Sequence, residues 1–144
     1  MIVWIEKPLA LAIHERQLAE HDGTTGVRDE TLLESALARP QRLHAYADPA
    51  PDLAADLAAS LAFGLARNHP FVDGNKRTAH VCYRVFLALN DVEMTAGDAD
   101  KYATLLALAE GKLPEREFAT WLRVRVKLQP GNRVHEKRAR YARR

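Results

Sequence analysis

The sequence predicts an all-α protein, a compact bundle of about six helices. Apolar residues recur at three- and four-residue spacings along most of the chain, which is the spacing of one face of an α-helix. Glycine, proline and cap-forming residues divide these stretches into segments of ordinary helical length. No alternating run is long enough for a convincing strand, so β structure is expected only as a short hairpin or an N-terminal piece.

The first predicted helix covers residues 9–20, and a loop with two glycines follows over residues 21–28. Asp29 is a candidate N-cap, because its side-chain oxygen can accept from an unpaired N–H of the first turn. It precedes a second helix over residues 30–39, whose apolar face consists of Leu32, Leu33, Ala36 and Leu37.

Proline sets the next predicted boundary. Pro40 has no N–H and is expected to end the second helix, and residues 40–51, with three prolines, are predicted as a loop. Asp52 can cap a third helix that runs to about Asn68. Its many alanines, together with Gly64, predict close packing against the helix that follows it.

Three further helices complete the predicted bundle. The fourth covers residues 75–89 and ends at a turn signal, and the fifth covers residues 98–110 and is stopped by Gly111. Pro114 suits the first helical position of the last helix. The apolar face of that helix consists of Phe118, Trp121, Leu122 and Val126.

Composition bounds the class of protein. The 144 residues suffice for one domain with one core, and 47% apolar and 28% charged residues are ordinary for a soluble globular chain. No apolar run approaches a membrane span, and the N-terminus lacks the features of a secretion signal. The single cysteine, Cys82, cannot form an internal disulfide and is predicted to be a core residue, which favours a cytoplasmic protein.

The positive charge is concentrated in the tail. Residues 130–144 contain six Lys and Arg and one Glu, whereas residues 1–129 contain 15 Lys and Arg and 18 Asp and Glu. We therefore predict one domain over residues 1–129 and a basic tail that is either disordered or ordered by a partner. The acidic balance of the domain gives no argument for direct nucleic-acid binding.

Residues 69–79, which read His-Pro-Phe-Val-Asp-Gly-Asn-Lys-Arg-Thr-Ala, are the most informative segment. Pro70 is expected to push His69 toward an extended conformation, and Gly74 permits a tight turn with positive φ. From Asn75 onward the apolar positions follow helical spacing. The segment is therefore predicted to be a loop that leads into a helix N-terminus.

The residue types in this loop suit phosphate chemistry. A helix N-terminus attracts phosphate through unpaired N–H groups and the positive end of the helix dipole, and Lys76 and Arg77 add full charges there. Asp73 can hold Mg²⁺ against phosphate oxygens. His69 is the group best suited to act as a base near neutral pH. Together they suit phosphoryl or nucleotidyl transfer to a hydroxyl.

The segment resembles the active-site signature of the Fic/Doc (Fido) superfamily, His-x-Phe-x-Asp/Glu-Gly-Asn-x-Arg-x-x-Arg. The sequence departs from it at His80, where AMP-transferring members usually carry a second Arg, and at Lys76, where they usually carry Gly. Asn-Lys-Arg-Thr-Ala, and the stretch at residues 26–41, are similar to the Doc (death-on-curing) branch. The matching positions are His69, Phe71, Asp73, Gly74, Asn75 and Arg77.

The resemblance implies a Fic/Doc-like helical bundle, with a short flap hairpin expected near residues 40–51. It also implies a bacterial toxin that acts as a protein Ser/Thr kinase, with ATP and Mg²⁺, on a threonine of elongation factor Tu and so halts translation. Carried over by position, His69 would take the target hydroxyl proton, Asp73 would bind the metal, and Phe71 would anchor the loop in the core. The phosphates would be held by Gly74, Asn75, Lys76 and Arg77.

Two alternatives remain at this point. One is a protein AMP-transferase of Fic type, and the other is a non-catalytic toxin that binds the ribosome or an antitoxin. His80 is a poor replacement for a bidentate guanidinium and Lys76 occupies a position that Gly leaves open, so both departures favour the kinase. The chain contains no Ser/Thr-x-x-x-Glu-Gly/Asn inhibitory string. Inhibition is therefore expected from a cognate antitoxin, through which alone any contact with nucleic acid would arise.

Other candidate residues are weaker. Arg67 precedes the motif by two residues, and contact with phosphate or target is about as well supported as a surface salt bridge. Four histidines lack the spacing of metal ligands and are predicted to be structural or exposed: His14, His21, His44 and His135.

Overall fold

The computed structural model describes residues 1–129, which form six α-helices, one π-helical turn and two three-residue strands. The all-α prediction is confirmed, and so is the number of helices. The elements are α1 (Lys7–His21), α2 (Glu30–Tyr46), the π-helical turn (Leu53–Leu57), α3 (Ala58–Asn68), α4 (Asn75–Leu89), β1 (Val92–Met94), α5 (Asp98–Ala109), α6 (Glu115–Arg123) and β2 (Val126–Leu128).

Helix α3 lies at the centre of the bundle and packs against α2, α4, α5 and α6. Eight of its eleven residues are buried, and its alanines let the neighbouring helices approach closely. Gly64 faces α2 rather than α4, because a Cβ built on it would lie 3.2 Å from the Cα and Cβ atoms of Ala36. The predicted close packing of α3 against α4 is confirmed, but Gly64 serves the contact with α2 instead.

Helix α2 begins as predicted and ends later than predicted. The side chain of Asp29 caps it by accepting from the N–H of Leu32 at 3.0 Å. Pro40 does not end the helix but lies buried inside it, and the helix continues to Tyr46. Proline removes only one helical hydrogen bond, and burial of the ring in the core compensates part of that loss.

The two-stranded sheet lies neither at the N-terminus nor in the predicted flap. Strands β1 and β2 pair antiparallel, with Glu93 opposite Lys127, and β1 packs beside α4. The flap hairpin expected near residues 40–51 is not formed, since helix α2 occupies the first part of that stretch. The backbone N–H and C=O groups of this helical part bond within α2 and are not available to pair with a strand.

The N-terminal segment is held by a specific contact to the end of α4. Asn90, just after α4, accepts from the N–H of Val3 at 2.7 Å and donates to the carbonyl of Val3 at 2.8 Å.

Pro114 is the N-cap of α6 rather than its first helical residue. Cys82 is fully buried, and burial raises its pKa to about 12, as expected for a core thiol. The prediction for the basic tail at residues 130–144 lies outside the described residues.

None of the helices within residues 1–129 is both long enough and apolar enough to cross a membrane.

Candidate active site

The motif loop connects α3 to α4 at one end of the bundle. His69 follows α3 as its C-cap, with φ 50° and ψ 55°, so it is left-handed and not extended as the following proline predicted. Its side chain is exposed, and the imidazole makes no hydrogen bond to any part of residues 1–129. Phe71 is buried at the other side of the loop and anchors it in the core, as expected. The loop therefore presents a free imidazole from a fixed backbone.

Asn75 closes the motif loop on itself. Its Oδ1 accepts from the N–H of Phe71 at 2.9 Å, and its Nδ2 donates to the carbonyl of Phe71 at 2.9 Å. The side chain is thus engaged with the loop backbone. Asn75 keeps its second Nδ2 hydrogen and its own backbone N–H, in the first turn of α4, for a phosphate.

The N-terminus of α4 is open. Gly74 is its N-cap with φ 77°, a conformation that glycine adopts at little cost, and no side chain caps the helix. The first intrahelical bond runs from the N–H of Thr78 to the carbonyl of Gly74, which leaves the first-turn N–H groups directed outward. This is the geometry of an anion site at a helix terminus.

The charges of this first turn oppose the helix dipole. Lys76 and Arg77 lie where the dipole is positive, and the turn contains no acid, whereas α5 and α6 each begin with two acids. Neither cation forms an ion pair within residues 1–129, and Arg77 instead lies over the ring of Tyr102 at 4.2 Å from its centroid. Such a concentration of positive charge is explained if an anion binds there.

Asp73 lies immediately before this terminus. Its Oδ1 accepts from the N–H of Gly74 at 2.9 Å and its Oδ2 from the N–H of Thr24 at 3.1 Å. A carboxylate has about four acceptor positions, so each oxygen retains one for a cation. No group of three or more His, Cys, Asp or Glu side chains that could hold a metal exists within residues 1–129. A single carboxylate, that of Asp73, fits Mg²⁺, which is commonly held by one or two carboxylates, water and substrate phosphates.

Residues 23–29, which we call the strap, run antiparallel to the motif loop. Val27 pairs with Phe71 in an isolated β-bridge, and the N–H of Val72 donates to the carbonyl of Gly26 at 3.1 Å. At its start, a Cβ on Gly23 would lie 2.9 Å from Asp73 Oδ2, so the strap approaches the acid more closely than a side chain would permit. The strap therefore packs along the motif loop and stabilises it.

Sequence reasoning missed two residues that hold the loop. His14, predicted only to be structural or exposed, is buried and lies 2.8 Å from the carbonyl of Asp73. Arg28, which was not singled out, donates to the carbonyls of Asn68 and His69. Neither belongs to the motif, and the signal that could have found Arg28 is its place in the stretch at residues 26–41 that resembles the Doc branch.

His80 lies one turn further along α4 and is buried. Arg84 lies beside it, with Nη1 3.2 Å from His80 Nε2. Burial, and then the charges of Arg84, Arg77 and Lys101, lower the pKa of His80 to about 4. Since arginine can only donate, Nε2 accepts, and the neutral ring carries its proton on Nδ1.

The contacts of Arg67 lie outside the motif loop. Its guanidinium lies over the ring of Phe63 at 5.6 Å and near Gly111 at the end of α5. The interpretation of Arg67 as a phosphate contact thus gains no support from its position.

Two comparisons with known proteins bear on this site. The sequence model of the Fic/DOC family matches residues 4–87, a stretch that includes the strap, the motif loop and all but the last two residues of α4. A protein named Toxin Doc, from Mycolicibacterium smegmatis, is 46% identical over 88 residues, which cover 58% of this chain and 65% of that relative. The matched region is thus less than two thirds of the relative's length. The family match covers more than half of the chain, and the chain belongs to the Fic/DOC family.

Proposed function

We propose that this protein is a toxin of a type II toxin–antitoxin system and a Doc-type protein kinase. It would transfer the γ-phosphate of ATP to a Thr or Ser hydroxyl of a translation factor, and family resemblance indicates elongation factor Tu. The observation that carries the proposal is the uncapped N-terminus of α4, with two unpaired cations in its first turn, at the end of the loop that begins with the exposed His69. The similarity to Toxin Doc supports the toxin assignment.

The motif residues divide the tasks of the proposed reaction among them. His69 accepts the proton of the target hydroxyl as the new oxygen–phosphorus bond forms, and the bond to the β,γ-bridging oxygen breaks to release ADP. The backbone N–H groups of Asn75, Lys76 and Arg77 hold the transferred phosphoryl oxygens, with Gly74 leaving the approach open. Asp73 would hold Mg²⁺, which neutralises phosphate charge when it is bound.

Regulation would come from a separate protein. The chain lacks the inhibitory string found in many Fic enzymes, so a cognate antitoxin is the proposed inhibitor and binding partner. Contact with nucleic acid would then be indirect, through the antitoxin complex, and the protein would act in the bacterial cytoplasm, where its target is found.

The test is the intact mass of elongation factor Tu after incubation with this protein, ATP and Mg²⁺. We expect a phosphoryl-sized gain with the wild-type protein and with His44→Ala, a matched histidine control on α2. No gain is expected with His69→Ala or Asp73→Asn. A gain that survived His69→Ala would rule out the proposed base, and an adenylyl-sized gain would assign AMP transfer instead. No gain, with full toxicity of His69→Ala in cells, would support the binding toxin.

A further inference from the structure

Arg28 contacts three successive carbonyl groups around the proposed base. Its Nε donates to the carbonyl of His69 at 2.7 Å, and its Nη2 donates to the carbonyl of Asn68 at 3.0 Å. Its backbone N–H donates to the carbonyl of Pro70 at 2.7 Å. One residue of the strap therefore fixes the backbone immediately before, at and after the proposed base.

These carbonyls need such a donor. The last carbonyls of an α-helix have no intrahelical partner, and they form the negative end of the helix dipole. Arg28 meets both requirements, because it supplies two N–H donors and a positive charge at the C-terminus of α3. It forms no ion pair within residues 1–129, so its charge serves the helix end rather than a carboxylate.

The conformation of His69 also requires an external hold. A residue with a Cβ disfavours the left-handed region, and His69 has φ 50° and ψ 55°. Such a conformation persists only where its surroundings determine it. The bond from Arg28 Nε to the carbonyl of His69 acts directly on the peptide group that carries this conformation.

We propose that Arg28 is a positioning residue, which orients the His69 imidazole toward the N-terminus of α4 by holding the carbonyls of Asn68 and His69. This inference rests on the proposed function, since it takes His69 as the base. Arg28 does not touch the first turn of α4, so its loss should slow the transfer step and leave ATP binding intact. Lysine would replace it poorly, because a single ammonium does not reproduce the planar fork of a guanidinium.

The experiment compares Arg28→Ala, Arg28→Lys and wild type in steady-state phosphorylation of the target. Arg42→Ala is the control, because Arg42 is an exposed arginine of α2 whose bond to the carbonyl of Ser35 is long, at 3.5 Å. We expect Arg28→Ala to lower kcat by about 10- to 100-fold, with the KM for ATP within about twofold of wild type. Arg28→Lys should recover only part of kcat, and added guanidinium ion should raise kcat of Arg28→Ala but not of His69→Ala.

A second readout is independent of turnover. Protein labelled with ¹⁵N-histidine gives two signals from His69: the three-bond HN–Hα coupling, which reports φ, and the resonances of the ring. Both should differ between Arg28→Ala and wild type, and Arg42→Ala should match wild type. Unchanged His69 resonances with unchanged kcat in Arg28→Ala would overturn the proposal. Failure of the proposed function is a separate result: the wild-type protein would form no product, while the His69 resonances would still decide whether Arg28 positions the ring. If Arg28→Ala did not fold, Arg28→Lys would decide by the same two measurements.

Discussion

The Nε2 atom of His14 lies 2.8 Å from the backbone carbonyl oxygen of Asp73. A carbonyl only accepts, so Nε2 carries the proton and donates. The ring of His14 also stacks on Phe71, with 3.8 Å between centroids and 7° between planes. A residue of α1 thus holds the proposed metal ligand through its backbone and the core anchor through its ring. The two ends of this contact are 59 positions apart in the sequence.

Replacement of His14 by Phe should separate these two contacts. Phenylalanine keeps the stacking on Phe71 but leaves the carbonyl of Asp73 without its donor, so we expect a loss of about 1–3 kcal/mol in the free energy of unfolding. The backbone of Asp73 would also be less well fixed, and Mg²⁺-dependent ATP binding, measured by calorimetry, should weaken. His14→Gln supplies a side-chain donor and should recover part of both. Equal Mg²⁺ dependence in His14→Phe and wild type would show that this bond does not position the acid.

Gly64→Ala should destabilise the contact between α2 and α3. The new Cβ would lie 3.2 Å from the Cα of Ala36, and a backbone atom in the core cannot move aside cheaply. We expect a loss of about 1–3 kcal/mol, the usual cost of overpacking, measured by urea unfolding. The control is Gly97→Ala, since a Cβ at Gly97 would meet no atom within 4 Å. If Gly64→Ala were as stable as Gly97→Ala, the close packing of the two helices would be disproved.

The sequence predicted the local features and missed those set by tertiary contacts. The cap at Asp29 is predictable because a cap depends on residues three positions away. The continuation of α2 past Pro40 is not predictable from the sequence, since nothing nearby reveals that the proline ring is buried. The left-handed backbone of His69 opposes the local preference set by Pro70, and its carbonyl accepts a bond from Arg28, 41 positions away in the sequence. The motif thus predicts which groups carry the chemistry, while distant residues decide how they are held.

The pair of changes Lys76→Gly and His80→Arg should weaken phosphoryl transfer. Lys76 contributes an unpaired charge to the first turn of α4, and an arginine at position 80 would add a cation beside Arg84 and Arg77. We expect the double variant to give less phosphorylated target than wild type at equal ATP, as measured by intact mass. The same spectrum reports any adenylyl-sized product. Phosphorylation at the wild-type level would show that these two positions do not set the reaction.

The stability of the protein should depend on pH through His80. Burial, followed by the charges of Arg84, Arg77 and Lys101, lowers the pKa of His80 to about 4, although Asp98 acts in the opposite direction. The unfolded chain takes up this proton near the ordinary value of about 6.5, so below that pH the unfolded state binds more protons than the folded state. The free energy of unfolding should therefore fall as the pH is lowered from about 6.5 to about 4, by no more than about 3 kcal/mol from this group.

The measurement that isolates this contribution is a comparison of wild type with His80→Gln. Glutamine does not titrate, and its side-chain oxygen can still accept from Arg84, which now donates to Nε2 of the histidine. Urea unfolding of both proteins at several pH values gives the difference in their free energies of unfolding. As the pH falls, the free energy of unfolding of wild type should decrease relative to that of His80→Gln. The reason is that only wild type has a buried imidazole that opposes protonation. A difference independent of pH would mean that His80 takes up its proton equally well in the folded and unfolded chains.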